Sequence, residues 1–147
     1  DPTVRLEDSG RPALPGQKHP GLGLFPELAY LLRLMGLRLR CDGLMNHPQR
    51  YHNAVLYGRF MKFVDPAVEG RFRALERDLS GLSLPEASLA VSEGRVLGPD
   101  GTPFVWDPAD QVLPITRRAR AWFEGRTWRR RAQETREGTH FRVTPPS

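Results

Sequence analysis

The sequence holds one cysteine and four histidines, and none of its runs approaches the ~18 apolar residues of a membrane span. With Cys41 alone, an internal disulfide framework is excluded, and the chain points to a reducing compartment such as the cytoplasm. Cys41 sits in an apolar alternation, where a thiol reads as buried and inert rather than nucleophilic. No membrane-spanning helix is expected, and no secretory signal is visible. Paired metal-ligand motifs are lacking too. His47 and His52 stand five apart, which places them on different sides of a helix, so no metal site is expected. The first residue is Asp1 rather than Met, which reads as an N-terminus processed, trimmed or cut out of a longer protein.

What is present is enough for a core. A chain of 147 residues, 39% of them hydrophobic, reads as one domain; a chain of this size buries roughly two thirds of its unfolded surface. The net charge of +5 comes from 22 Lys and Arg against 17 Asp and Glu, and the excess is local. In "RRARAWFEGRTWRRR", Arg117 to Arg131, Glu124 is the one acid. Such a run is either a solvated helix face or a contact for an acidic protein or nucleic acid. Trp122, Phe123 and Trp128 are interleaved with the arginines as in a single-strand nucleic-acid platform, although Ala119 and Ala121 beside them also fit a helix docked on the core.

Periodicity divides the chain into short elements. Thr3 to Leu6 is a strand candidate, followed by an extended proline-rich segment. Pro26 suits a first helical turn; Leu28, Leu31, Leu32 and Met35 recur at helical spacing as an inward stripe, and Gly36 is placed for the C-terminal cap. Leu37, Leu39 and Cys41 alternate with Arg38 and Arg40, a half-buried strand signature running to Met45. A second helix is expected from about Pro48, with Tyr51, Val55 and Phe60 inward, then a strand at "MKFV". Asp65–Pro66 should cap a third helix with Val68, Phe72, Leu75 and Leu79 on one stripe; Ser83 and Glu86 have capping-box spacing for a fourth, running to about Glu93. "RVLGPDGTPFVW" reads as a hairpin turning at Gly98 to Gly101, and a last helix covers about Ile115 to Glu124. The expected fold is α/β or α+β, a small central sheet with flanking helices. Residues 1–125 form the domain, and 126–147 a basic C-terminal extension ending in a short strand at "THFRV".

The segment with most chemical promise is "KHPGLG", Lys18 to Gly23, directly before the first helix. Two glycines around Leu22 let a ligand approach the backbone, and a helix N-terminus behind such a turn favours phosphate. With "YHNAVLYGRFMKF", Tyr51 to Phe63, following a strand, the pattern resembles the GNAT acetyltransferase family, whose Q/R-x-x-G-x-G/A loop cradles the coenzyme A pyrophosphate. The resemblance covers about residues 15–63, with Lys18 where that family usually has Arg or Gln. It implies the C-terminal half of an acyl-CoA N-acyltransferase fold. Lys18, Gly21, Leu22, Gly23 and Leu24 would hold acetyl-CoA or another acyl-CoA, and Tyr57 would be the acid for the departing thiolate. His52, where a strand feeds a helix, is a candidate general base on its own residue chemistry. Only 17 residues precede Lys18, so the family's N-terminal half would come from a partner, from further chain or from a homo-oligomer. Two non-catalytic readings stand beside this one: an interaction module with an acyltransferase-like fold, and a basic nucleic-acid-binding module.

Overall fold

The computed structural model describes residues 25–146. In chain order, α1 spans Phe25–Arg38, β1 Gly43–Asn46, α2 Tyr51–Tyr57, β2 Lys62–Phe63, α3 Pro66–Asp78 and α4 Leu84–Ser92. They are followed by β3 at Val96–Leu97, β4 at Gln111–Pro114, α5 at Arg117–Glu124, α6 at Arg126–Gly138 and β5 at Arg142–Val143. This is a small α+β fold. Local chemistry starts three of the helices. The Asp65 carboxylate accepts from the Ala67 amide at 2.7 Å, with Pro66 in the first turn of α3. Ser83 and Glu86 close a capping box on α4. Thr116 accepts from the Ala119 amide at the head of α5 while its own hydroxyl donates to Asp42 at 2.6 Å.

β4 is the middle strand of a three-stranded sheet, antiparallel to β1 on one side and β2 on the other. β1 and β2 therefore run parallel to each other, joined through α2, a β-α-β unit split by an inserted strand. β3 pairs with β5 in a second, two-stranded sheet. Phe63, Phe72, Tyr51 and Trp106 meet edge-on or tilted in the core, with Phe63 and Phe72 5.2 Å apart. Leu75, Leu79, Ala90 and Val96 continue it.

Several sequence expectations hold. The third-helix stripe is inward, with Phe72, Leu75 and Leu79 buried. The Gly98–Gly101 turn forms, with Gly101 in the left-handed region at φ 79°. "MKFV" contains β2, and "THFRV" contains β5.

Others are corrected. The strand read from Leu37 to Met45 is helix as far as Arg38, and β1 begins only at Gly43. The Leu/Arg alternation belongs to a helix end, where side chains also swing from side to side. Gly36 is not the cap. The Cys41 amide reaches back to the Gly36 carbonyl and the Arg40 amide to that of Leu37, with Arg40 itself left-handed at φ 56°. That is a Schellman ending whose left-handed position carries arginine. Gly36 instead lets α1 touch the sheet: a Cβ there would lie 2.0 Å from Ile115 Cδ1. The expected inward stripe of α1 is also corrected, because Leu28, Leu31 and Met35 are exposed. The hairpin is partial, since β3 pairs with β5 while the chain beyond Phe104 runs irregularly to β4.

The segment after Gly125, read as an extension, is built into the fold. α6 packs along α3, Trp128 and Phe141 are buried, and β5 completes the second sheet. The end of α3 clamps it. Arg77 donates to the carbonyls of Arg136 and Thr139, and Asp78 accepts from the Phe141 amide at 2.8 Å. The hydrogen bond from Arg77 holds the Asp78 carboxyl below the usual carboxylate range, and that from Phe141 adds to it. The Thr3–Leu6 strand candidate lies outside the described residues. Among those residues, no helix is long and apolar enough to cross a membrane.

Candidate functional site

Lys18, Gly21, Leu22, Gly23 and Leu24 lie outside the described residues. Tyr57 closes α2 half-buried, its ring edge-on to Phe60 at 6.1 Å. His52 is only 4% exposed, and its Nδ1 lies 2.8 Å from the Ser88 hydroxyl, which ties α2 to α4. The structure thus seats His52 as a buried bridge between α2 and α4. Burial, and secondarily the Arg50 guanidinium, hold its imidazole below the ordinary value.

That shift sets a sign. The folded chain disfavours the imidazolium, whereas the unfolded chain takes the proton near about pH 6.5. The stability due to neutral His52 is therefore full above that pH and is lost as pH falls through and below it. Between about pH 7.5 and 5.5 the wild-type Tm should drop more than that of His52→Gln, which keeps a partner for Ser88. Parallel thermal melts at the two pH values check this; equal drops would remove His52 from the account.

Among the described residues, two of the larger grooves carry tryptophan in their walls. One, of about 490 Å³, opens beside the His52–Ser88 pair and is lined by Arg50, Tyr51, Ser88, Phe104 and Trp106 among others. Its aromatic wall is the flank of the core itself, as Tyr51 packs on both Phe72 and Trp106. Burial, and then Glu76, push the Tyr51 phenol up, so it stays a neutral donor. Among the described residues, no group of three His, Cys, Asp or Glu is placed to hold a metal.

The second groove, of about 480 Å³, lies where α5 meets α6 and is chemically more specific. Gly125 breaks the two helices apart with an extended ψ of 137°. Phe123 and Trp128 turn inward and meet edge-on at 5.3 Å. Trp128 is fixed twice more: its indole N–H donates to the Val64 carbonyl at 3.1 Å, and the Lys62 ammonium sits 5.4 Å from its ring. Trp122, the neighbour of Phe123, faces the other way and is 60% exposed. It lines the groove with Arg126, Arg130 and Arg131. All the arginines between Arg117 and Arg131 are exposed. Arg130 reaches Glu134 at 3.8 Å, and Arg120 donates to the Ile115 carbonyl. Among the described residues no ion pair engages Arg117, Arg118, Arg126, Arg129 or Arg131. The groove thus sets an aromatic face among guanidiniums, whose planar fork of N–H donors suits phosphate oxygens.

The sequence marked this segment by composition but could not divide its aromatics. Adjacent residues on a helix point about 100° apart, and which of Trp122 and Phe123 docks depends on what packs against α5. No protein-family model matches the chain, and neither a curated protein nor a solved structure matches it.

Proposed function

We propose that this chain is a non-catalytic, basic binding module whose α5–α6 groove takes single-stranded nucleic acid. The reading rests on one observation: Trp122 is exposed at 60% inside a groove lined by Arg126, Arg130 and Arg131. A large ring left in water forgoes the stabilisation of burial, and every base offers a π-face to stack on it. Three guanidiniums around the ring supply contacts to the phosphates on either side of a stacked base. With arginines carrying the binding and no base edges read, the expected selectivity is for single strands over duplex, not for sequence.

Fluorescence titration of the full chain with a short oligothymidylate tests this, read through tryptophan quenching. Binding should weaken with salt on a log–log slope of about −2, the value for some three phosphate contacts on a single strand. Trp122→Ala should weaken binding by about tenfold, in line with ~1–3 kcal/mol per stacked base. Its Tm should stay unchanged, because an exposed side chain is removed. Absence of binding at low salt, or binding indifferent to Trp122→Ala, would defeat the proposal. Coenzyme A belongs in the same titration: a Tm rise with it that survives Trp122→Ala would favour the acyl-CoA reading instead.

A further inference from the structure

Helix α1 is apolar on nearly every side, yet the described residues cover little of it. Gly36 is buried and Ala29 and Leu32 are half-buried, whereas Leu28, Tyr30, Leu31, Leu34, Met35 and Leu37 are all exposed. A helix apolar all round belongs inside something. What covers it is written in the order of its residues.

At 100° per residue, Glu27, Leu31, Leu34 and Arg38 fall within an arc of about 60°, opposite the side that carries half-buried Ala29 and Leu32 and buried Gly36. Their spacing, four then three then four, is that of a coiled-coil seam. The seam has an acid in its first turn, two leucines in the middle and an arginine in its last turn. It is also its own complement when reversed. About the midpoint between Leu32 and Arg33, Leu31 mirrors Leu34, Tyr30 mirrors Met35, Leu28 mirrors Leu37, and Glu27 mirrors Arg38.

The geometry points to a homodimer in which α1 packs antiparallel against α1 of a second copy about a two-fold axis near Leu32–Arg33. Leucine then meets leucine at the centre, and Glu27 of each copy meets Arg38 of the other, giving two equivalent ion pairs. A parallel pair would oppose Glu27 to Glu27 and Arg38 to Arg38, so charge selects the antiparallel arrangement. Isologous two-fold contact of this kind is the commonest way soluble chains close an oligomer. Neither Glu27 nor Arg38 has an ion-pair partner among the described residues of its own copy. The inference is independent of the proposed nucleic-acid groove, since no residue of α1 lines it.

Sedimentation velocity on the full chain across a hundredfold range of concentration tests the dimer. The expected species has about twice the 16.7 kDa chain mass. Leu31→Asp with Leu34→Asp should give a monomer of unchanged far-UV circular dichroism. Charge reversal makes the assignment specific: Glu27→Arg or Arg38→Glu alone should weaken the dimer about tenfold, by turning two attractive contacts into repulsive ones. Both reversals in one chain should restore it, because the two pairs re-form with signs exchanged. A monomer at every concentration would overturn the inference. So would a dimer that ignores the aspartates, or one whose single reversals are not rescued by the double.

Discussion

Gly70→Ala loses about 2–3 kcal/mol of folding stability, where helix propensity alone would have it gain about 1. Gly70 sits within α3, and α6 crosses it there. A Cβ at Gly70 would lie 2.4 Å from the Ala132 carbonyl oxygen, 2.7 Å from Thr135 Cβ and 3.0 Å from the Arg136 amide nitrogen. Two of those atoms are backbone, so no rotamer change relieves the clash, and α6 must shift bodily. Moving α6 also strains its other attachments, the buried Trp128 and the carbonyls of Arg136 and Thr139 that Arg77 holds. Gly138→Ala is the control, as a Cβ there meets nothing within 4 Å at the end of α6. The two substitutions should move the urea midpoint in opposite directions. A Gly70→Ala chain as stable as wild type would mean that α6 does not pack on α3 at this point.

Glu69→Ala is the second large effect, an expected loss of about 3 kcal/mol and so roughly 6–12 °C in Tm. Glu69 is a buried carboxylate in the first turn of α3. One oxygen accepts from the Phe63 amide at 2.8 Å, the other from Arg73 Nε at 2.7 Å. Arg73 goes on to Glu76 and to the Gly58 carbonyl at the end of α2. One carboxylate thus joins β2, α3 and the turn after α2 through hydrogen bonds to charged groups, each stronger than a neutral one. Alanine leaves the Phe63 amide without its acceptor in the core and Arg73 short of a partner. Glu69→Gln keeps an acceptor for Phe63 but not the charge, so its loss should be about half as large. Thermal melts of the two variants against wild type separate these parts. An alanine variant within 1 °C of wild type would show the network to be dispensable.

Much of this fold is legible along the chain. Asp65–Pro66, the Ser83–Glu86 box and the Gly98–Gly101 turn are local devices, whose hydrogen bonds run between residues two to four apart. Short-range physics carries them whatever the rest of the chain does. α1 misled for the same reason. Its leucines repeat at helical spacing, but spacing says only that a face exists, not what lies against it. β4 escaped notice because four residues ending in proline, "QVLP", gain strand character only between β1 and β2. α6, polar along most of its length, read as a tail because its inward signal reduces to Trp128 and the smallness of Gly70 on another helix.

The candidate site divides in the same way. The wealth of arginine and tryptophan between Arg117 and Arg131 is plain in the sequence, as is the chance that it meets an anion. Which tryptophan faces water depended on where Gly125 turns the chain and on which ring reaches the Val64 carbonyl.

By itself, then, the sequence determined the capped starts of α3 and α4, the Gly98–Gly101 turn, the stripe of Phe72, Leu75 and Leu79 and the basic run from Arg117 to Arg131, all of which depend on neighbours a few residues away. Tertiary structure alone decided that α6 belongs to the core, that His52 is a bridge to Ser88, and that Trp122 and the outer face of α1 are left uncovered by the described residues. The reason is physical: burial is a property of what packs against a side chain, and at these positions the partner, or its absence, comes from chain far away in sequence.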